Sequence, residues 1–206
     1  MSYTRRIFFL VERTSNSNIR VAREPRLRAI MESLSSESPD SNPLVHSMSF
    51  SGRLLERGFW LYVWKITDQN DRLALYVGRT GDSSSANAAS PFNRIGQHLD
   101  FRPKAKGNAM ARQLAAADME PRWCFFEMVA IGPLFPEQKS FTAHCPFRDT
   151  LAALEMKCAD YLKSRGYGVL GTHASKKKLD ENLWNQVEIV LQPRFPCRSP
   201  HSERTD

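Results

Sequence analysis

Two aromatic and β-branched runs separated by a short polar break restrict the possible fold of this chain more than any other feature. Phe59 to Thr67 reads FWLYVWKIT and Leu73 to Thr80 reads LALYVGRT, with Asp68, Gln69 and Asn70 after the first run. Side chains of this kind suit a pleated, half-buried surface, and a polar break of a few residues reverses the chain, so the pair predicts a β-hairpin. Pairing Thr67 with Asp71 across a three-residue loop sets Tyr62 opposite Tyr76. Residues opposite one another share a sheet face, so both phenols are expected on one side.

The flanking segments extend this unit. Gly81 to Ser90 (GDSSSANAAS) is small and polar, a flexible loop in expectation. Ser90 and Pro91 then give an N-cap and a proline at the first helical position, predicting a helix to about Phe101 on which Arg94 and His98, four residues apart, share a face. Gly107 to Asp118 has high helix propensity, and Arg122 to Ile131 (RWCFFEMVAI) reads as a third strand. Gly132 to Arg148 is a Pro-rich and Phe-rich excursion to which no form is assigned. A strong helix is predicted from the cap Asp149 through Thr150 to about Arg165, stopped by Gly166. Leu151, Leu154, Cys158 and Leu162 make its apolar stripe, and Glu155 sits within or beside it. A carboxylate there is costly unless it is paired, hydrogen-bonded or bound to a metal, and Lys157 or a nearby Arg is a candidate partner.

The ends read as attachments. Ile7 to Glu12 suggests a short strand and Arg23 to Leu34 a helix, followed by linker composition over Ser35 to Pro43. Leu179 to Leu191 suggests one more short helix or strand, and Pro193 to Asp206 a disordered tail. With 206 residues, 41% of them apolar, the chain can bury one good core. The expected architecture is therefore α/β in the α+β sense: a small central antiparallel three-stranded sheet flanked by helices over 58–172, an N-terminal extension over 1–50 and a C-terminal one over 173–206.

Lys and Arg number 29 against 22 Asp and Glu, a formal net charge of +7, which suits an anionic partner. Cys124, Cys145, Cys158 and Cys197 form no CxxC pair or disulfide-like spacing, so free thiols in a reducing compartment are expected, and His144 beside Cys145 is the one hint of a metal pair. Ile7 to Val11 is too short for a signal core or a span. The expectation is a soluble cytoplasmic protein with no membrane partner.

The hairpin WLYVWKIT…YVGRT, the segment Arg94-Ile95-Gly96-Gln97-His98 and the single helical Glu155, in that order, resemble the GIY-YIG nuclease superfamily. The resemblance spans about 58–172, more than half of the chain. It implies a DNA endonuclease in which Tyr62 and Tyr76 lie near the reacting phosphate and the attacking water, Arg94 contacts the scissile phosphate, and Glu155 holds one divalent ion, Mg²⁺ or Mn²⁺. His98 matches a position that is His or Tyr in many members. Trp60 stands where the first motif carries its glycine, and Val169-Leu170-Gly171-Thr172 stands where many members carry an Asn.

The residue types suit that chemistry in their own right. Phosphodiester hydrolysis needs a positioned water, stabilisation of charge on the phosphoryl oxygens and help for the leaving alkoxide. A guanidinium forks onto phosphate oxygens, and one carboxylate with waters and a phosphate oxygen is a usual way to hold Mg²⁺. Tyrosine is a poor base at its ordinary pKa, so a general-base Tyr62 requires nearby cations to lower that value. Lys65 and Arg79 are read as nucleic-acid backbone contacts or surface charges. DNA is the expected partner, with RNA left open; a restriction-type role, which needs two active sites, implies a homodimer, and repair or mobile-element roles remain alternatives. So do a non-catalytic nucleic-acid-binding module of the same fold and a protein-interaction domain.

Overall fold

The computed structural model describes residues 48–102 and 104–198. The strand expected at Ile7 to Glu12, the helix at Arg23 to Leu34 and the linker at Ser35 to Pro43 lie outside the described residues.

Strands β1 (Gly58–Thr67) and β2 (Leu73–Arg79) form the expected antiparallel hairpin, but its register differs by two residues. Trp64 lies opposite Tyr76, and Tyr62 opposite Gly78. The cause is Asp68. Its backbone N–H donates to the Arg72 carbonyl at 3.1 Å, while its carboxylate accepts from the backbone N–H groups of Asn70 and Arg72 and from Arg72 Nε at 2.6 Å. The three-residue loop is thus Gln69 to Asp71, one residue later than expected, and Asp71 takes the left-handed φ of 58° that such a loop needs. A slip of two preserves parity, so both phenols still share a face.

β3 (Phe125–Pro136) pairs antiparallel with β1 and runs five residues past the expected end. A two-residue β4 (Val169–Leu170) adds parallel to β2, giving the order β3-β1-β2-β4. The sheet is therefore four-stranded and mixed, in place of the expected three-stranded antiparallel one. The fold class is α+β, with four helices among the described residues. An extended segment after Gly166 supplies the Gly168 carbonyl that Leu75 N–H needs, at 2.8 Å, but two residues are too few to show an alternating pattern.

Helix α1 (Pro91–His98) is capped by Ser90 as expected and stops three residues earlier than read. Helix α2 spans Ala109–Ala116. Helix α3 (Phe141–Ser164) begins nine residues before the expected start, at the cap Ser140, and contains Pro146. Pro146, in the second turn, removes one intrahelical hydrogen bond and crowds the carbonyl four residues before it, and Phe147 beside it packs on the core. The excursion of unassigned form is thus the end of β3 and the start of α3. Helix α4 (Glu181–Leu191) follows the cap Asp180. Beyond it the expected disordered tail is packed as far as Arg198: Phe195 is fully buried, and Arg198 N–H donates to the Arg165 carbonyl at 2.9 Å.

Two cores result. Phe59, Leu61, Val63, Leu75 and Val77 pack with Leu151, Leu154, Leu162, Trp184 and Phe195 on one side of the sheet. Tyr62, Trp64, Ile66, Ala74 and Tyr76 pack with Met110 and Leu114 on the other.

Candidate active site

Tyr62 reaches its place because Gly78 opposite has no side chain. A Cβ at Gly78 would stand 2.5 Å from the Tyr62 ring, so the glycine of YVG clears the path of the phenol. The Tyr62 hydroxyl then lies 2.6 Å from His98 Nε2 and 3.2 Å from the Arg79 carbonyl. A carbonyl only accepts, so the hydroxyl donates to Arg79 when Nε2 carries the hydrogen and to His98 when it does not. His98 is buried between the two tyrosines, with ring centroids 5.7 Å from Tyr62 and 5.2 Å from Tyr76. Its Nδ1 is buried without a partner among the described residues. Burial, and then the charge of Arg94, pushes the His98 pKa down to about 4, so the ring is neutral at pH 7.

Arg94, one turn earlier on α1, is held from two sides. Nη1 donates to Gln97 Oε1 at 2.9 Å and Nη2 to Asp82 Oδ2 at 3.1 Å, and the side chain is 17% exposed. Nε is buried with no acceptor among the described residues, while the guanidinium lies close enough to the Tyr62 hydroxyl for the two to interact. Burial pushes the Tyr62 phenol well above its ordinary pKa, outweighing the lowering by Arg94, so the expected acidification of Tyr62 by neighbouring cations is not what this environment produces.

Glu155 rises from α3, which packs on the other side of the sheet, yet it meets Tyr76 at the sheet edge. Past the end of β4 an open cleft of about 190 Å³ is lined by Tyr76, Gln113, Glu155, Thr172 and His173, among others. Tyr76 is pushed up to about 12, by burial first and by the Glu155 charge second. The partner that relieves Glu155 is Arg79, not Lys157: Arg79 Nε lies 2.8 Å from Glu155 Oε2, with the two side chains 16% and 24% exposed. Lys157 instead places its amine over the Trp184 ring. Arg79 Nη1 is buried with no acceptor among the described residues.

The sequence-read residues therefore gather as one group, with Tyr62, Tyr76, Arg94 and His98 on one face and Glu155 joining at the edge through Tyr76 and Arg79. Lys65 does not join them; its amine lies 5.1 Å above the Phe195 ring, in the core of the opposite face. Trp60, at the position of the motif glycine, is buried with Nε1 donating to the Glu56 carbonyl and its ring against Gly132 of β3. His144 is buried and hydrogen-bonded through Nε2 to the Gly81 carbonyl, and all four cysteines are free. Asp82, Gln113 and His173 escaped the sequence reading. His173 Nε2 donates to the Val77 carbonyl at 3.1 Å, which leaves the lone pair on Nδ1. None of the three carries a spacing signal: Asp82 sits in a loop read as flexible, Gln113 in an ordinary helix, and His173 in a coil beyond β4.

Among the described residues no cluster of three or more His, Cys, Asp or Glu is placed to hold a metal. The lone-carboxylate arrangement still fits a hard cation. Glu155 Oε1 makes no hydrogen bond to any described residue and faces a polar cleft, and Mg²⁺ commonly takes one carboxylate with waters and substrate oxygens. No helix among the described residues is long and apolar enough to cross a membrane. Compared with protein families, curated proteins and solved structures, the chain matches none of them, so the reading of this site rests on its own geometry.

Proposed function

We propose that the chain is a GIY-YIG-like, metal-dependent endonuclease that hydrolyses phosphodiester bonds of DNA. The observation that carries this reading is the convergence of Tyr62, Tyr76, Arg94 and His98, from two strands and a helix, beside a cleft that holds Glu155. Arg94, always charged and with a buried Nε lacking an acceptor, is the phosphate-binding group. Tyr62 and Tyr76 keep their protons at neutral pH. Tyr76 is the hydroxyl donor that orients the phosphate or the attacking water, and Tyr62 can offer its hydrogen to substrate only on giving up its bond to His98 or the Arg79 carbonyl. Neutral His98 fixes the Tyr62 hydroxyl. Glu155 is the residue that would hold Mg²⁺ or Mn²⁺, which supplies polarisation of a phosphoryl oxygen and acidifies a bound water. Such a protein works in the cytoplasm on DNA, and a restriction-type role makes it a homodimer.

The test is incubation with supercoiled, linear and single-stranded DNA, with and without Mg²⁺ or Mn²⁺, for wild type and Glu155→Gln. The amide keeps the shape but not the charge that a hard cation needs, so cleavage should fall by roughly two decades or more while metal-free DNA binding at fixed salt survives. A Gln variant that cleaves as wild type does would remove Glu155 as metal ligand. The non-catalytic binding module has one observation in its favour, the engagement of Glu155 by Arg79. Salt-sensitive DNA binding by the wild type with no cleavage in either metal would select it.

A further inference from the structure

Glu155 lines the cleft and Arg79 is the cation bonded to it, and each is incompletely satisfied. Nε is bonded to Oε2 at 2.8 Å, while Nη1 has no acceptor and Oε1 no donor among the described residues. The pair is part-buried, at 16% and 24% exposure, so neither member can lose its partner and recover bulk hydration. A cation placed on the Glu155 carboxylate competes directly with the guanidinium for the same charge. Once displaced, Arg79 would present Nε and Nη2, its parallel pair of donors, neither then bonded to any described residue. A phosphate oxygen pair matches that fork, and a phosphodiester is the anion that such a cation would bring in.

From this, and resting on the nuclease reading of Glu155, we propose that Arg79 is a phosphodiester-binding residue that guards the metal site: it neutralises Glu155 in the free protein and transfers to a substrate phosphate when the cation takes the carboxylate. Cation and phosphodiester then bind cooperatively. Each is unfavourable alone, the cation because it strands Arg79 and the phosphate because Glu155 holds the guanidinium. Coupling of this kind is reciprocal, so the factor by which phosphate tightens the cation equals the factor by which the cation tightens phosphate. The arrangement limits metal uptake, and with it hydrolysis, to the substrate-bound state.

The experiment measures Mn²⁺ binding by electron paramagnetic resonance with no DNA present, alone and with saturating dimethyl phosphate, a stable phosphodiester probe. The wild type should bind Mn²⁺ weakly and tighten about tenfold with dimethyl phosphate, the scale of one charge-assisted hydrogen-bonded pair. Arg79→Gln should bind Mn²⁺ about tenfold more tightly than wild type without the probe and gain nothing from it. Arg79→Lys, which keeps a competing charge without the fork, should stay weak and lose most of the enhancement; it decides the matter if the Gln variant does not fold. Wild-type binding that disappears in Glu155→Gln but is unchanged in Arg79→Gln and insensitive to dimethyl phosphate would overturn the guard while leaving the metal site in place. Mn²⁺ binding that is the same in wild type and Glu155→Gln would overturn the metal site itself, and the guard with it.

Discussion

Odd-numbered and even-numbered residues of the same two strands meet different surroundings. Phe59, Leu61, Val63, Leu75 and Val77 face α3 and α4, where Cys158 is the one titratable side chain in the buried cluster. Tyr62, Trp64 and Tyr76 face α1 and α2, and on that side Trp64 Nε1, His98 Nδ1 and Arg94 Nε are all buried without partners. Unpaired buried polar atoms cost free energy; the apolar face carries some as well, His144 Nδ1 near Phe59 among them, but only the other face gathers an indole, an imidazole and a guanidinium around the two tyrosines. The apolar face stabilises the fold. The aromatic and polar face holds hydroxyl, imidazole and guanidinium groups together at a cost in stability, which the proposed nuclease reading would explain as readiness for a ligand.

The sharpest way to break this division is to weaken the apolar face alone. Leu154, fully buried against β1 and β2, should cost about 2–5 kcal/mol as alanine, read from the urea midpoint. A loss under ~1 kcal/mol would mean that this face does not carry the fold. On the other face, Arg94→Ala should reduce cleavage by about two or more decades, with Arg94→Lys recovering little because an ammonium lacks the fork. Near-normal cleavage by the lysine variant would show that charge alone matters there.

The polar face should also reveal itself in pH. His98 has a pKa of about 4 when folded, against 6.5 as its ordinary value. Between these values the unfolded chain binds a proton that the folded chain refuses. Stability should therefore fall as pH drops from about 6.5 to about 4, by roughly 3 kcal/mol from this group. Denaturant melts of His98→Gln should lack that component of the slope; an identical slope would place the titration elsewhere. The smallest effect compares two glycines. Gly78→Ala drives a methyl into the Tyr62 ring and should cost about 1–3 kcal/mol, whereas Gly96→Ala, with open space around it, should shift stability by less than ~1 kcal/mol. Equal midpoints for the two variants would mean that the Tyr62 ring moves aside freely.

Much of the division was legible in the sequence, because its carriers are local. The hairpin, the Ser90 cap, the shared face of Arg94 and His98 and the anomaly of Glu155 within an apolar stripe all follow from periods of two or 3.6 residues. The misses come from contacts that no period encodes. The register turned on which carboxylate satisfies a turn, and Asp68 does so. The early start of α3 was masked by Pro146, which reads as a breaker wherever its place in the helix is unknown. β4 is too short for any pattern, and the partner of Glu155 lies 76 positions away in sequence. Asp82 and His173 reach the site from coil, where side-chain direction is set by tertiary contacts alone.

The strand order gives the sheet a graded resistance to local opening. β1 is paired along both edges, by β3 and by β2, so each of its amide protons is held by one neighbour or the other and can exchange with solvent only when that neighbour separates. β2 is guarded on its outer edge by two residues of β4 and, past them, by the single His173 bond to the Val77 carbonyl. The cleft that holds Glu155 thus borders a lightly paired edge of the sheet, while Tyr62 is mounted on the strand paired along both edges. On the nuclease reading proposed above, such an edge would let a strand of DNA enter while the β1 tyrosine stays in place.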